Sequence, residues 1–303
     1  MCCISAPIKV VGSTKIFCAP NSDNTRQVTV YENVVDNVTQ NNIMILPVPF
    51  PDTVEFHNLS EYSKFFNDCS KSFVTVYPTN NFLGTDGQTY TNEGDVVMRG
   101  KSALKVIDVG SYKVSLANNL EDLNNLDEKH FVLTKEVYKF MKKHYNYGFM
   151  GFVVCKLVLG NKEYHPIAYS HNIYKKKIFI PTKHFHMHEH VTDGFNGFNH
   201  YGFMSDVLID KPKTIDDGSY ADDWHHDIYI YNGNIGKNAK LDAMIKKTIS
   251  DPKGSAGIHY EWSKDITFNF DKIDFNLGKK CREFQKFQII GRHPNIDLIT
   301  YVA

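Results

Sequence analysis

In PTKHFHMHEHV, residues 181–191, histidine recurs at every second position: His184, His186, His188 and His190. Successive side chains of an extended strand alternate between faces, so all four would line one face. Imidazole titrates near neutrality and binds first-row metals, so such a row can supply bases or ligands. An H-x-H pair is one way for a strand to give a metal two nitrogens, and His184 with His186 forms that pair. The third ligand would come from ADDWHHDIY, where His225 and His226 stand among Asp222, Asp223 and Asp227, and an outer carboxylate would orient the ring. The metal reading is therefore Zn2+ held by His184, His186 and His226. His188 and His190, nearer a Gly/Asn-rich stretch, read as surface residues. For any single histidine a solvated strand face is the simpler expectation.

The other reactive group is a thiol. The chain starts MCCISAPIKVV, and Met before a small residue is normally trimmed, which would leave Cys2 with a free α-amine of near-neutral pKa beside its own thiol. That arrangement is similar in outline to N-terminal-nucleophile hydrolases, whose nucleophile opens a β-strand followed by a return strand, here TKIFCA. The further Arg, Asp and Asn motifs of those families are not found. Without self-processing, Cys2 or Cys3 would need only a nearby imidazole to lower its pKa. The leading expectation is a hydrolase in which the Cys2 thiolate attacks an amide or ester of a small molecule or peptide, with His184, His186 or His226 as base. The plainer alternative is that both cysteines are small buried strand residues.

Composition narrows the class. Among 303 residues, Lys plus Arg and Asp plus Glu each number 34, so the formal net charge is zero and a general nucleic-acid or anionic-membrane binder is not expected. No stretch approaches the ~20 apolar residues of a membrane span, and the N-terminus lacks the pattern of a secretory signal. The six cysteines (2, 3, 18, 69, 155 and 281) show no CxxC pair and no disulfide framework, which points to a reduced cytoplasmic setting. Tandem Cys2–Cys3 could accept an acyl chain, but no basic cluster supplies a second anchoring signal.

These residues must be positioned by strands. CCISAPIKVV and TKIFCA read as strands about a Gly12–Ser13 turn, RQVTVYENVV alternates strongly, and NIMILPV is a short apolar run. Ser60 is placed to cap a helix over EYSKFFNDCS, with Tyr62, Phe65 and Phe66 as its apolar stripe. Residues 78–100 read as a long loop, and ALKVIDVGSYKVSLA as a hairpin about Gly110–Ser111. Thr134 opens the clearest helix, TKEVYKFMKKHY, with Val137, Phe140 and Met141 on one face. GFMGFVVCKLVL, YHPIAYSH and KKIFIPT follow as strands, residues 192–223 as an irregular, mobile cover beside the histidines, and DIYIYN as a further strand. KLDAMIKKTIS reads as a helix, and HYEWS, ITFNF, FQKFQII and DLITYV as strands. Strands outnumber helices, and most connections are too short for βαβ crossovers. The expected class is α+β, mainly antiparallel sheet with a few amphipathic helices, in a single domain over 1–303.

MCCISAPIKVVGSTKIFCA, RQVTVYENVV and NNIMILPVPFP, with the helix around EYSKFFNDC, resemble a widespread, uncharacterised bacterial family. Its members begin Met-Cys, carry a "MiLPlPvP" segment and close on a PTxHxH…DHxxY pattern, met here by PTKHFH and DWHHDIY. The resemblance implies a core over about residues 1–232 and a C-terminal extension over about 233–303. It falls on Cys2, His165, His184, His186 and His226 and implies no particular reaction. A third expectation is non-enzymatic: a structural or assembly protein whose aromatic-rich surface, drawn from 17 Tyr and 21 Phe, packs against partners.

Overall fold

Long β-branched and aromatic runs give strands here, and two amphipathic runs give helices. The computed structural model describes residues 3–73, 103–183, 185–186, 220–231, 233–234, 257–263, 273, 275–277, 284–294 and 297–302. In chain order the strands are β1 (Cys3–Ile4), β2 (Ile8–Pro20), β3 (Arg26–Asn37), β4 (Ile43–Pro49), β5 (Glu55–Asn58), β6 (Val106–Val109), β7 (Tyr112–Ala117) and β8 (Met150–Lys156). They continue with β9 (Gly160–Glu163), β10 (Ile167–Asn172), β11 (Lys177–Ile180), β12 (Phe185–His186), β13 (Tyr220–Tyr231) and β14 (Gly233–Asn234). The last three are β15 (Gly257–Ser263), β16 (Phe284–Pro294) and β17 (Leu298–Val302). The helices are α1 (Phe65–Lys71) and α2 (Lys135–Tyr145).

One sheet runs β12-β1-β4-β8-β7-β6 and a second runs β15-β16-β13-β2-β3-β10-β5, with β9 also on β3. A third, smaller sheet is β11-β17-β14. Pairing is antiparallel except where β1 meets β12 and where β13 meets β2. The class is α+β, dominated by antiparallel sheet. No helix among the described residues is long and apolar enough to cross a membrane.

The core is layered. Ile4, Met44, Leu46 and Val153 of the first sheet meet Ile16, Tyr31, Ile167 and Ile228 of the second, forming an inter-sheet core. The opposite face of the first sheet, with Cys3, Ile45 and Phe152, is covered by Val137, Phe140 and Met141 of α2, the stripe read from the sequence. The opposite face of the second sheet, with Phe17, Val30 and Tyr229, is covered by Phe65, Phe66 and Cys69 of α1. Strand alternation makes this possible, because each strand sends odd and even residues into different cores.

Four local readings change. No turn occurs at Gly12–Ser13: β2 continues through it and absorbs the glycine in a register shift against β3 between Gly12 and Lys15, a bulge rather than a reversal. Ser60 caps no helix. It begins a 3-10 turn, Ser60–Tyr62, whose aromatic ring packs at 5.7 Å on Phe65 of the later α1. Residues 220–223, expected to be irregular, open β13, because pairing with β16 extends that strand upstream of DIYIYN. β9, unforeseen, extends the pairing of the far end of β3. The expectations for residues 78–100, 192–219, KLDAMIKKTIS and ITFNF lie outside the described residues.

Strand β8 packs so closely on the turn at Pro51 that a Cβ on Gly151 would run into the Pro51 ring and stand 2.5 Å from the Ala117 carbonyl oxygen. At Gly148 a Cβ would meet nothing within 4 Å. Gly151→Ala should therefore destabilise by about 1–3 kcal/mol through overpacking, and Gly148→Ala should stay within about 0.5 kcal/mol. Urea denaturation of the two variants against the parent checks both.

Candidate functional site

One short parallel pairing joins the two chemically loaded stretches of the sequence. β1 lies between β4 and β12, with Cys3 opposite Ile45 and Phe185, and Ile4 opposite Met44 and His186. Cys2, His184, His188 and His190 lie outside the described residues. On the second sheet, His226 stands opposite Thr14 of β2 and Ile289 of β16. Two residues on, Ile228 lies in the inter-sheet core, and the next residue, Tyr229, lies in the core beneath α1. The backbone thus sets His186 at the edge of one sheet and His226 within the other. Among the described residues no group of three or more His, Cys, Asp or Glu is arranged to hold a metal.

The seat of β1 is made by buried polar groups that bond to the strand. Ser5 N–H donates to the Ile43 carbonyl at 3.0 Å, and Ala6 N–H to Asn42 Oδ1 at 2.8 Å. Asn42 Nδ2 donates back to the Ala6 carbonyl at 3.0 Å. From the other side, Thr134 N–H donates to Ser5 Oγ at 2.8 Å and the Thr134 hydroxyl donates to the Ser5 carbonyl at 2.7 Å. Thr134 precedes α2, where a hydroxyl ordinarily accepts from the helix's own first turn. Here it serves the strand and makes no side-chain cap. Ser5, Asn42 and Thr134 are all buried. An unpaired buried polar group costs about 1–3 kcal/mol, so these bonds select one position for β1.

A second polar set, with no motif around it, is buried with Cys3 on the α2 side. The Tyr145 hydroxyl donates to Asp297 Oδ2 at 2.7 Å, and Lys183 N–H donates to Asp297 Oδ1 at 2.9 Å. The Lys183 ammonium lies 5.2 Å from the Tyr145 ring centroid, and the Leu298 N–H donates to Thr182 Oγ1 at 3.0 Å. Burial, followed by the neighbouring Asp297 and Cys3, holds the Tyr145 hydroxyl well above its usual range, so it remains a donor. His144, 4.4 Å from the Phe140 ring, is pulled down to about 3 by burial and then by Lys183 and Lys143. Phe140 also stacks on Phe185 at 4.7 Å, which ties this set to β12. The available signal was Lys183, which interrupts an apolar approach just before the histidines; Asp297 sits in an unremarkable PNIDL.

Three further described histidines hold structure. His165 Nδ1 faces the Pro166 carbonyl at 3.0 Å and must donate to it, while Nε2 accepts from Ser111 N–H at 2.9 Å. Both nitrogens are committed, and the ring clamps the β6–β7 hairpin. Gly110 in that turn has φ +60°, and a Cβ there would stand 2.5 Å from His165 Nε2. His165, one of the family-like positions, therefore has no lone pair left for catalysis. His171 Nδ1 faces the Asn172 carbonyl at 2.9 Å, and burial pulls its pKa down to about 4. His57, not singled out in the sequence, meets Ser170 Oγ at 3.1 Å, and Arg26 donates to the same oxygen at 3.1 Å. Ser170 is buried and spends its oxygen on Arg26, so this pair braces β5 against β10.

The described thiols differ from what a nucleophile needs. Cys3, Cys18, Cys69 and Cys155 are free and buried. Burial pushes Cys18 up to about 12, against weaker opposing hydrogen bonds from Thr29 and Gln27, and pushes Cys155 and Cys69 up as well. A thiol that stays protonated at neutral pH does not attack carbonyls.

No family model matches the chain. Among solved structures it is similar to the crystal structure of baculovirus P35, with a TM-score of 0.45, 14% sequence identity and 99% of each chain covered. It is also similar to a mutated baculovirus P35 after caspase cleavage (TM-score 0.45, 12% identity, 96% of this chain and 99% of that one). The P35 of a caspase-8/P35 complex gives a TM-score of 0.41 and 12% identity, with 98% of both chains covered. Agreement at this level assigns neither a family nor an activity.

The buried histidines give the fold a defined acid response. Above pH 6.5 neither the folded nor the unfolded chain protonates them; between 6.5 and their lowered folded values, about 3 for His144 and about 4 for His171, only the unfolded chain does. Stability is therefore lost on acidification from pH 6.5, by up to about 1.4 kcal/mol per pH unit for each histidine. His144→Phe should flatten this loss relative to the parent in urea unfolding between pH 7.5 and 4.5. Parallel curves would contradict the assignment.

Proposed function

We propose that the chain performs thiol-based acyl transfer, with Cys2 as nucleophile and a histidine of the 184–186 stretch as base. The observation that carries this is the parallel register Cys3↔Phe185 and Ile4↔His186. We extend that register by one residue, which would bring Cys2 beside His184 at the ~4.8 Å spacing of neighbouring strands. Cys3 and Phe185 belong to the core beneath α2 and Ile4 to the inter-sheet core, so β1 and β12 share one alternation of faces.

In the proposed reaction the imidazole takes the Cys2 thiol proton and the thiolate attacks an amide or ester carbonyl. The tetrahedral adduct collapses by releasing the amine or alcohol, which takes the proton back from the imidazolium, and an acyl-Cys2 thioester remains. Water, deprotonated by the same imidazole, releases the carboxylic acid and restores the thiol. A small-molecule or peptide substrate fits this chemistry, as does a reducing cytoplasm that keeps the thiol free. The second reading is Zn2+ held by His184, His186 and His226, the H-x-H pair with a third histidine.

Alkylation of the folded full chain with iodoacetamide, quantified at each cysteine by mass spectrometry, tests the proposal. Cys2 should react at pH 6 at least about tenfold faster than the same cysteine in a peptide of residues 1–12, reflecting a lowered thiol pKa. His184→Ala combined with His186→Ala should remove that advantage. Equal rates in chain and peptide would contradict the proposal. Stoichiometric zinc that protects Cys2 and is lost in His186→Ala would favour the second reading.

A further inference from the structure

At one corner of the molecule, strained backbone, exposed aromatic rings and unneutralised cations coincide. Three segments meet there: the end of β4 at Phe50, the turn before β8 at Tyr147–Phe149, and the turn Tyr174–Lys177 ahead of β11. Phe50 lies 6.0 Å from Phe149 and 6.1 Å from Tyr174, and Tyr147 stacks on Phe149 at 6.0 Å. Phe149 is 39% exposed and Tyr174 56% exposed, two of the most exposed large apolar side chains among the described residues. The Lys175 ammonium lies 5.0 Å from the Tyr174 ring centroid, and Lys175 and Lys176 are exposed.

The backbone at this corner is held where side chains are disfavoured. Six described residues other than glycine have left-handed φ: Asn24, Asn41, Asn276, Phe50, Lys175 and Lys176. The first three are asparagines, which tolerate that region; the last three are not, and all belong to this corner. Phe50 has φ 52° and ψ 59°, and is fixed by its N–H donating to the Phe149 carbonyl at 2.8 Å. Lys175 and Lys176 are held by Lys177 N–H donating to the Tyr174 carbonyl at 3.0 Å and Val302 N–H donating to the Lys176 carbonyl at 2.9 Å. Strain of this kind persists where the surrounding structure over-determines it, and it concentrates at ligand-contacting sites. Here it presents two lysines and an aromatic ring to solvent in a fixed arrangement.

We propose that this corner binds an acidic peptide segment of a partner protein, its carboxylates meeting Lys175 and Lys176 and an apolar side chain lying on Phe149 and Tyr174. Rigid aromatic faces supply contact area at low entropic cost, and the lysines supply charge complementarity. A nucleic acid fits less well: two lysines meet few phosphates, and the chain has no net positive charge. This inference does not depend on the Cys2 chemistry.

The test is selection of a random twelve-residue peptide library, displayed on phage, on the immobilised full chain, with Lys175→Glu/Lys176→Glu and Phe149→Ser as comparison baits. All the changed side chains are solvent-exposed, and circular dichroism verifies the fold of each bait. The expected result is enrichment of peptides rich in Asp and Glu with at least one aromatic or aliphatic residue, each binding both baits at least about tenfold more weakly than the parent. Failure to enrich any peptide that distinguishes parent from variants, or enrichment of uncharged or basic peptides, would overturn the proposal. So would tighter capture of oligothymidylate or phosphatidylserine vesicles through the same lysines.

Discussion

The buried exchange between Ser5 and Thr134 is the constraint on which the candidate site depends. A two-residue strand such as β1 has too few ladder bonds to hold its own place between β4 and β12. It is held because Thr134, at the head of α2, turns its hydroxyl and its N–H toward Ser5 while Asn42 grips Ala6 from the β4 side. With the alternatives being unpaired buried polar groups, the strand has one register, and that register sets Cys3 opposite Phe185 and Ile4 opposite His186. Helix α2 thus has two roles, one on each side of its first residue: Val137, Phe140 and Met141 cover the first sheet, and Thr134 locks the strand at its edge.

The histidines divide by partner. His165, His171 and His57 each meet a polar partner that belongs to a hairpin or strand pairing, and His144 is held neutral by burial among lysines. Each braces the fold. The same logic applies to Cys18, Cys69 and Cys155, which burial keeps as thiols. The buried Tyr145–Asp297–Lys183 set lies on the same α2 side of the first sheet as Cys3.

Much of the strand content was legible because period-two alternation and β-branched runs are local signals. RQVTVYENVV, NIMILPV and FQKFQII all became strands, and the apolar stripe of TKEVYKFMKKHY faced the core as its spacing required. Gly12–Ser13 misled because a glycine-serine pair marks either a turn or a bulge, and only the partner strand decides which. The parallel pairings of β1 with β12 and β13 with β2 were invisible, since they join segments far apart in the chain and leave no local pattern. His165 reads from its residue type as a candidate for chemistry, and the facing N–H of Ser111, brought in by a distant hairpin, makes it a clamp. The Tyr145–Asp297 bond was equally hidden, being a pair of single residues with no motif around either.

We take the β1–β12 register to continue one residue upstream, which would set Cys2 beside position 184. Introducing a thiol by His184→Cys and oxidising the folded chain gently tests this directly, because Cα separations of about 4.4–6.8 Å permit a disulfide. The account predicts that mass spectrometry of the digested protein finds the new thiol bonded to Cys2, and that Thr134→Val, which removes the hydroxyl from Ser5, lowers the yield. A new thiol that stays reduced, or that joins Cys281 instead of Cys2, would contradict it.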